Sequence, residues 1–461
     1  MPPSQGDIPG FYYDAEKNRY FPLDKNHPKE AKFSQSSSRA SKDIRPSSRS
    51  RRPNLHLDDA PALPKRSTAQ YLCSFRSHHW RRAAHDSLKL QYASTCYSKI
   101  IWSYPNYPSC GLRSFSVSCT DDTKQVAGDT NGFVYIYSDV GTVEDATGRH
   151  THRLWSGQCG LMSPISSCGI IKDKFFASSF GPHPKVLVGS FSSAQHSENT
   201  EGIIIERRQN VWDVWCGTYA ETSFVLGMTN HLWIVSDLDN LQSARTLRIG
   251  SDALTLGRDE TCVYAGLRNG SVHVLDMGRD DQYGKRLLQA PTSVTGLSRL
   301  REWELLTALI DGSLDIYDLR MLRRPGSAKY VNSSTKDSRR IPLLSLCGHV
   351  STVTISPPIA TTPSQDFIFA AGEDNIIRGW STLTGERLEA PEPCALAQSR
   401  HAQRDRPLPL LSQAFNARGS RYVSLRITDH EAGRRVEPKL WAATDAGITR
   451  FDLGRNWNDY A

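Results

Sequence analysis

The sequence predicts an all-β protein, a seven-bladed β-propeller, on three observations. A pattern of two short strands with alternating apolar residues and a tight turn between them occurs seven times along the chain. Three of the six intervals between these hairpins match the period of about 40–45 residues that a four-stranded blade needs. The other three intervals equal that period plus an insert of roughly 20–30 residues. A β-sandwich repeat is the alternative architecture.

The first segment, residues 1–29, concentrates aromatic residues around a short polar stretch. Because aromatic side chains gain free energy when they are buried, we expect this segment to pair as a small hairpin. The expected strands are Phe11–Tyr13 and Arg19–Phe21, joined through the polar residues 14–18. The hairpin needs a surface, which is this protein's own propeller or a partner, and we favour its own propeller.

Residues 30–68 form a basic linker that is rich in serine, proline and arginine. This composition predicts disorder. The segment fits a nuclear-entry signal or a nucleic-acid patch, and it equally fits a solvated linker. No aromatic residues alternate with its charges, so we do not expect direct nucleic-acid binding. The expected location is the nucleus, the cytoplasm or both.

An amphipathic helix is predicted over residues 69–97. Ser67 and Gln70 have the spacing of a capping box at its start, and large apolar residues, Trp80 and Leu88 among them, recur at helical intervals. The helix either packs against the side of the propeller or anchors in the groove of a partner. The sequence leaves both possibilities open.

Residues 98–461 contain the seven hairpins. The pattern is clearest at Leu305–Arg320, where Asp311-Gly312 predicts a type I′ turn between two strands. Asn131, Asn230 and Asn269 stand at the turns of three other hairpins. A further strand at Lys99–Tyr104 is expected to complete the last blade, which joins the two ends of the propeller.

No arrangement of residues in the sequence indicates catalysis. The nucleophile elbow, the phosphate-binding loop and the dinucleotide fingerprint are all missing from the sequence, and its cysteines and histidines lack zinc-site spacing. No apolar run has the length of a membrane span. We therefore expect a protein that is not an enzyme and that has no cofactor, no metal and no membrane partner.

The hairpins resemble the central strands of WD-repeat propeller blades. Gly348-His349 followed by Asp374 and Trp380 is similar to the most complete form of such a blade. This resemblance implies that the turn aspartate bonds the histidine and the blade backbone. Asparagine takes the place of that aspartate at positions 131, 230 and 269 and can accept the same bond without charge.

A second resemblance concerns the aromatic segment. It is similar to the opening motif of the family named DDB-one- and cullin-four-associated factor four, also called WD-repeat protein twenty-one. The resemblance implies a substrate receptor of the cullin-four RING ubiquitin ligase, which binds the ligase adaptor, a damaged-DNA-binding protein subunit, through the base of its propeller. The residues that carry it are Pro9, Gly10, Phe11, Tyr12, Tyr13, Asp14, Lys17, Asn18, Arg19, Tyr20 and Phe21.

The resemblance also implies a set of adaptor contacts. Such receptors carry a Trp-Asp-x-Arg signature at the end of a third strand, and Tyr317-Asp318-Leu319-Arg320 matches it with tyrosine for tryptophan. A helix just before the propeller would be a second contact, with Trp80 and Leu88 as anchors. The alternative function is a generic WD-repeat scaffold for a nuclear protein or RNA–protein assembly without a ligase. The protein substrate is not readable from the sequence.

Overall fold

The computed structural model describes the chain in segments. They are residues 11–14, 19–22, 82–95, 98–103, 110–119, 122–138, 143–144, 150–151, 156–181, 184–191, 202–206, 213–220, 223–238, 244–259, 261–278, 284–322, 341–351, 356–389, 421–432 and 435–454. The basic linker at 30–68 and the first part of the expected helix, including Trp80, lie outside the described residues.

Residues 1–68 and 69–461 form two units. In the first, β1 (Phe11–Asp14) pairs antiparallel with β2 (Arg19–Pro22), with Tyr12 opposite Phe21 and Asp14 opposite Arg19. The predicted hairpin is therefore confirmed. The surface that it covers stays a prediction.

The second unit is the predicted seven-bladed β-propeller. Helix α1 (residues 82–93) and strand β3 (Ser98–Ser103) come before the first blade. Blade 1 contains β4 (Leu112–Val117), β5 (Lys124–Asp129), β6 (Phe133–Ser138) and β9 (Ser156–Gly160), with the small pair β7 (Val143–Glu144) and β8 (His150–Thr151) between its third and fourth strands. Blade 2 contains β10 (Ile165–Ile171), β11 (Lys174–Ser179), β12 (Lys185–Ser190) and β13 (Gly202–Glu206). Blade 3 contains β14 (Val214–Tyr219), β15 (Phe224–Met228), β16 (His231–Val235) and β17 (Arg245–Arg248).

The remaining blades follow the same antiparallel order. Blade 4 contains β18 (Ala253–Arg258), β19 (Cys262–Leu267), β20 (Ser271–Asp276) and β21 (Lys285–Gln289). Blade 5 contains β22 (Val294–Leu300), β23 (Glu304–Leu309), β24 (Leu314–Asp318) and β25 (Leu344–Leu346), with the short helix α2 (Leu319–Leu322) after its third strand. Blade 6 contains β26 (Ile359–Thr361), β27 (Phe367–Ala371) and β28 (Ile377–Ser381). Blade 7 contains β29 (Tyr422–Ala432), β30 (Arg435–Thr444), β31 (Gly447–Asp452) and β3.

Strand β3 closes the ring, as predicted. It pairs antiparallel with β31, with Ser98 opposite Phe451 and Ser103 opposite Gly447. The fourth strand of the last blade thus comes from the beginning of the propeller sequence. Because the two ends of the propeller sequence share one sheet, this pairing holds the ring closed.

The core lies between neighbouring blades. Second strands are covered on both faces, so they are buried at nearly every position, and all five residues of β15 and of β27 are buried. Trp441 of blade 7 packs near Phe115 of blade 1, with ring centroids 6.3 Å apart. Each blade therefore completes the core of the next, which explains why a repeat of this kind is stable only as a closed set.

The turns between second and third strands differ from the predicted type I′ geometry. Gly312 has a φ of +89°, and among the described residues neither Ile310 nor Asp311 has a positive φ. The Gly312 N–H donates to Leu309 O (3.0 Å), and the Leu309 N–H donates to Ser313 O (2.9 Å). This is a three-residue loop, a type I turn followed by a left-handed glycine. The type I′ prediction is wrong because the loop includes Ile310 as well as the Asp-Gly pair.

Asp311, Asn269 and Asp129 hold these turns in the same way. Asp311 Oδ1 accepts from the Ser313 N–H (3.0 Å), and Asn269 Oδ1 accepts from the Ser271 N–H (3.0 Å). In blade 1 the predicted residue Asn131 is not the acceptor. Buried Asp129, two residues earlier, receives the N–H groups of Asn131 (2.9 Å) and Phe133 (2.8 Å). The substitution of asparagine for aspartate is thus confirmed for Asn269 only.

Blades 2 and 6 differ from the expected pattern. In the sequence, the segments Lys185–Ser190 and Gly202–Glu206 have the pattern of a central hairpin interrupted by an insert. In the structure they are the third and fourth strands of blade 2, and its central hairpin is β11–β12. Blade 6, expected to be the most complete, has three described strands. At its fourth position the described residues form one isolated bridge, between Trp380 and Arg387.

The expected bond between Asp374 and His349 is not made. Asp374 pairs with both terminal nitrogens of Arg378, through Nη1 at 2.9 Å and through Nη2, and accepts from the Ile376 N–H (3.3 Å). Neither ring nitrogen of His349 has a hydrogen-bond partner among the described residues, and burial, then the charge of Arg378, lowers the pKa of His349 to about 4. Trp380 lies edge-on to this ring, 6.2 Å away, and donates from Nε1 to Cys347 O (2.9 Å).

Candidate protein-interaction site

The sequence-predicted signature places an arginine where a partner can reach it. Arg320 has a side chain that is 64% exposed, whereas the Asp318 side chain beside it is 17% exposed. Arg320 Nη2 donates to Asp318 Oδ2 (2.7 Å), and Nε donates to Oδ1 (3.1 Å). The Arg320 backbone N–H also donates to Asp318 Oδ1, at 2.9 Å. The guanidinium is therefore held in one orientation, as the sequence suggested.

This pair keeps both charges over a wide pH range. The hydrogen bond from Arg320 lowers the pKa of Asp318, and the hydrogen bond from Asp318 raises the pKa of Arg320. Two of the five guanidinium N–H donors are used on Asp318, which leaves three for a partner. A planar fork with free donors suits a carboxylate or a carbonyl of another protein.

Strand β24 and helix α2 fix this position through their apolar residues. Tyr317 is 5% exposed and belongs to the blade core, so it supports the strand end rather than offering a contact surface. Burial, then the charge of Asp315, raises the pKa of Tyr317 to about 12. Leu319 and Leu322 are buried on the inner side of α2. Arg320 thus lies in a helical turn after the strand, not in the strand as the sequence suggested.

Two exposed apolar residues lie next to Arg320. Met321 is 60% exposed and Trp303 is 36% exposed. Trp303 is held at the turn between the first two strands of blade 5, because the Leu319 N–H donates to Trp303 O at 2.7 Å. We call Trp303, Asp318, Arg320 and Met321 the strand-end surface.

Helix α1 lies on the same face of the propeller. His85 Nε2 is 2.9 Å from the hydroxyl of Ser381, the last residue of the third strand of blade 6. Its ring stacks on Phe367 with centroids 4.7 Å apart, and Lys89 forms an ion pair with Glu386 at 2.6 Å. Because third strands of all blades end on one face, α1 and the strand-end surface share that face, in neighbouring blades.

The two predicted helix anchors have different outcomes. Trp80 lies outside the described residues. Leu88 is partly buried and packs with Tyr92 and Ala93 against the core between blades 6 and 7. The helix ends at residue 93, before the predicted end, because the Ser94 and Thr95 hydroxyls bond back to Gln91 O (3.0 and 3.4 Å).

A different leucine is available on α1. Leu90 is 62% exposed, and its position two residues from both Leu88 and Tyr92 directs it away from the propeller. Sequence reasoning missed Leu90, Trp303 and Met321. The Trp303 signal was present, since an aromatic residue between Glu302 and Glu304 at a turn has no place in a strand core.

The described residues show no feature that indicates a bound cofactor or metal. No cluster of three or more histidine, cysteine or acidic residues among them could hold a metal ion, and no described helix is long and apolar enough to span a membrane. The described cysteines are free thiols, and burial raises the pKa of Cys168 to about 11. Its thiol is therefore protonated at neutral pH.

Comparison with known proteins supports the WD-repeat assignment and nothing finer. No family model matches the chain. The chain is similar to an uncharacterized WD repeat-containing protein of Caenorhabditis elegans, with 24% identity over 226 residues. The match covers 48% of this chain and 37% of that protein, so the chain spans little more than a third of its relative. Propellers of this type are typically non-catalytic and act as protein-interaction scaffolds.

Proposed function

We propose that this protein is the non-catalytic substrate receptor of a cullin-four RING ubiquitin ligase. Its partner would be the ligase adaptor, a damaged-DNA-binding protein subunit, and it would present a protein substrate for ubiquitination. The observation that carries the proposal is the oriented, exposed guanidinium of Arg320 at the end of a third strand. The opening motif from Pro9 to Phe21 supplies the family resemblance.

The strand-end surface has the composition of a binding centre. Trp303 and Met321 provide apolar area beside an arginine, and aromatic residues, methionine and arginine are enriched at protein interfaces. Leu90 of α1 extends the same face with a further apolar side chain. We include Trp303, Met321 and Leu90 in the adaptor contact, in addition to Asp318 and Arg320, with Tyr317 as support.

The test is adaptor binding by an Arg320→Ala variant, measured with purified proteins by biolayer interferometry. We expect affinity to fall by more than about tenfold, because truncation of one partner of an interfacial charge pair leaves the other unpaired. Trp303→Ala should weaken binding to a similar degree, since it removes the aromatic anchor.

Arg268→Ala is a matched control. Arg268 is also an exposed arginine, 49% exposed, and it pairs with Asp252 at 3.0 Å on the opposite face of the propeller. Its loss should leave adaptor affinity unchanged. If Arg320→Ala binds like wild type while remaining folded, the receptor assignment is wrong.

The alternative is a generic scaffold for a nuclear protein or RNA–protein assembly. The basic linker at 30–68 favours it, since short basic runs occur in such assemblies. Purified adaptor that fails to bind the wild-type chain at micromolar concentration would support this alternative.

A further inference from the structure

The central channel of the propeller has an unusual wall. It encloses about 370 Å³ and is lined by the first strands of the blades. Its only charged lining residues are two arginines, Arg113 of blade 1 and Arg426 of blade 7, and the described lining contains no aspartate or glutamate. A cavity of this size takes a few side chains of a ligand.

Neither arginine is neutralised within the described part of the chain. Neither forms an ion pair there, and burial, then the like charge of Arg421, lowers the pKa of Arg113. Burial raises the pKa of Tyr219 in the channel, and the charge of Arg426 opposes that rise. Two like charges without an ion-pair partner among the described residues create a positive potential, which a narrow low-dielectric channel concentrates.

The opposite wall supplies hydrogen-bond donors. Each of the seven blades contributes at least one serine or threonine to the lining. The side-chain hydroxyls of Thr218, Thr255 and Ser298, on neighbouring first strands of blades 3, 4 and 5, make no hydrogen bond with any other described residue. Hydroxyl donors facing uncompensated guanidinium groups match a ligand that carries negative charge and several acceptor oxygens.

Blade 1 also exposes apolar side chains on the propeller face at which Arg113 lies. Strand β4 begins beside the turn of blade 1, where the Thr130 N–H donates to Gly111 O at 3.0 Å. On that turn Phe133 is 47% exposed, and Met162, beside it, is 86% exposed. A free phosphate ion would use neither residue, whereas a peptide brings apolar side chains together with its charge.

We propose that the channel is the binding site of an acidic peptide segment, whose charge is carried by phosphoserine or glutamate side chains. The segment enters at Arg113, rests its apolar residues on Phe133 and Met162, and directs an anionic side chain towards Arg426. The strand pairings put Arg113 level with Val423, so Arg426 lies three residues deeper, roughly 10 Å along the strands. Within the proposed receptor role, this peptide would belong to the substrate.

The test uses the full-length protein on beads and three pools of degenerate nonapeptides. The pools carry phosphoserine, glutamate or serine at the centre, and mass spectrometry measures the peptides that are retained. We expect the two charged pools to exceed the serine pool by at least about tenfold, with a loss at high salt as exposed charges are screened. The ratio of the phosphoserine to the glutamate pool identifies which form of charge is preferred.

Variants assign the binding to the channel. Arg426→Gln and Arg113→Gln should each reduce retention of the charged pools by about tenfold, and Arg426→Lys should retain part of it. The melting temperature of the Arg426 variants should equal that of wild type, because Arg426 forms no described ion pair. That of Arg113→Gln should fall only slightly, because Arg113 has one cation–π contact, with the Phe180 ring at 5.7 Å. Arg320→Ala, on the opposite face, should retain the pools fully.

Three outcomes overturn the proposal. They are equal retention of the charged and serine pools, full retention by the folded double variant of Arg113 and Arg426, and inorganic phosphate that binds as tightly as the charged peptides. The last would show a site for small anions only. The peptide assay contains no adaptor, so a negative result in it leaves the receptor proposal intact. In the same way, a failure of adaptor binding leaves the peptide-site proposal intact.

Discussion

Two aspartate–arginine pairs in neighbouring blades have the same chemistry and opposite surroundings. In blade 6, Arg378 pairs with Asp374 at the turn, and its side chain is 8% exposed. In blade 5, Arg320 pairs with Asp318 after the third strand, and its side chain is 64% exposed. In each pair the aspartate receives two guanidinium nitrogens and a nearby backbone N–H. Burial alone decides that the first pair holds a blade and the second is available to a partner.

The largest expected effect is a loss of propeller stability when the buried pair is broken. Arg378→Met leaves the Asp374 carboxylate unpaired and should destabilise the propeller by roughly 2–3 kcal/mol, less than a fully buried pair because Asp374 is 31% exposed. Thermal unfolding measures the effect. The double variant with Asp374→Asn should recover part of the loss, since no unpaired charge remains. Additive losses would show that the two side chains act independently.

The surroundings of Arg378 also predict a pH effect through His349. The folded-state pKa of about 4 lies below the usual value near 6.5, so the unfolded chain binds more protons between these values. Stability should therefore fall by about 2 kcal/mol as the pH drops from 7.5 to 5. Chemical denaturation at several pH values measures this slope. His349→Phe should reduce this dependence of stability on pH. If the dependence is unchanged in the variant, other titratable groups cause it.

Burial also separates two leucines of α1, Leu88 and Leu90. Leu88→Ala should lower stability by about 1–2 kcal/mol, below the roughly 2–5 kcal/mol of a fully buried leucine, because Leu88 is only partly buried. Leu90→Ala should leave the melting temperature unchanged and weaken adaptor binding. This differs from the expectation, implied by the family resemblance, that Leu88 is an adaptor anchor. A stable Leu88→Ala variant with weak binding would restore it.

The smallest expected effect on stability is at Arg320. Since surface ion pairs contribute little, Arg320→Ala should melt within about one degree of wild type. Its effect should be confined to adaptor binding. A clear drop in melting temperature would show that the Arg320–Asp318 pair stabilises the fold, as the Arg378–Asp374 pair does. The contrast between the two blades would then be wrong.

The sequence predicted the features that depend on short-range pattern. The alternation of apolar residues predicted the central hairpins and β3, and the aromatic cluster predicted the Phe11–Pro22 hairpin. The loop containing Ile310 was missed because an Asp-Gly pair suits two turn types. The partner of Asp374 was missed because the fold buries Arg378 beside it, and no local pattern shows this.

The candidate site was predictable only in part. The spacing of Asp318 and Arg320 indicated their bond, because a carboxylate two residues from an arginine can reach its guanidinium. The exposure of Trp303, Met321 and Leu90 depends on which face each blade turns outward. It also depends on where α1 rests, which is set by contacts such as His85 with Ser381, almost 300 residues apart in the chain.

The closure of the ring by β3 has a consequence for synthesis on the ribosome. Ser103 emerges long before Gly447, the residue with which it pairs. At the usual rate of about 5–20 residues per second, β3 waits roughly 20–70 s for its partner. During that interval the nascent chain exposes an unpaired apolar strand, which includes Ile101 and Trp102, to other polypeptides. A ribosome that stalls before β31 would leave this strand without a partner, so premature termination there should produce a product that chaperones retain.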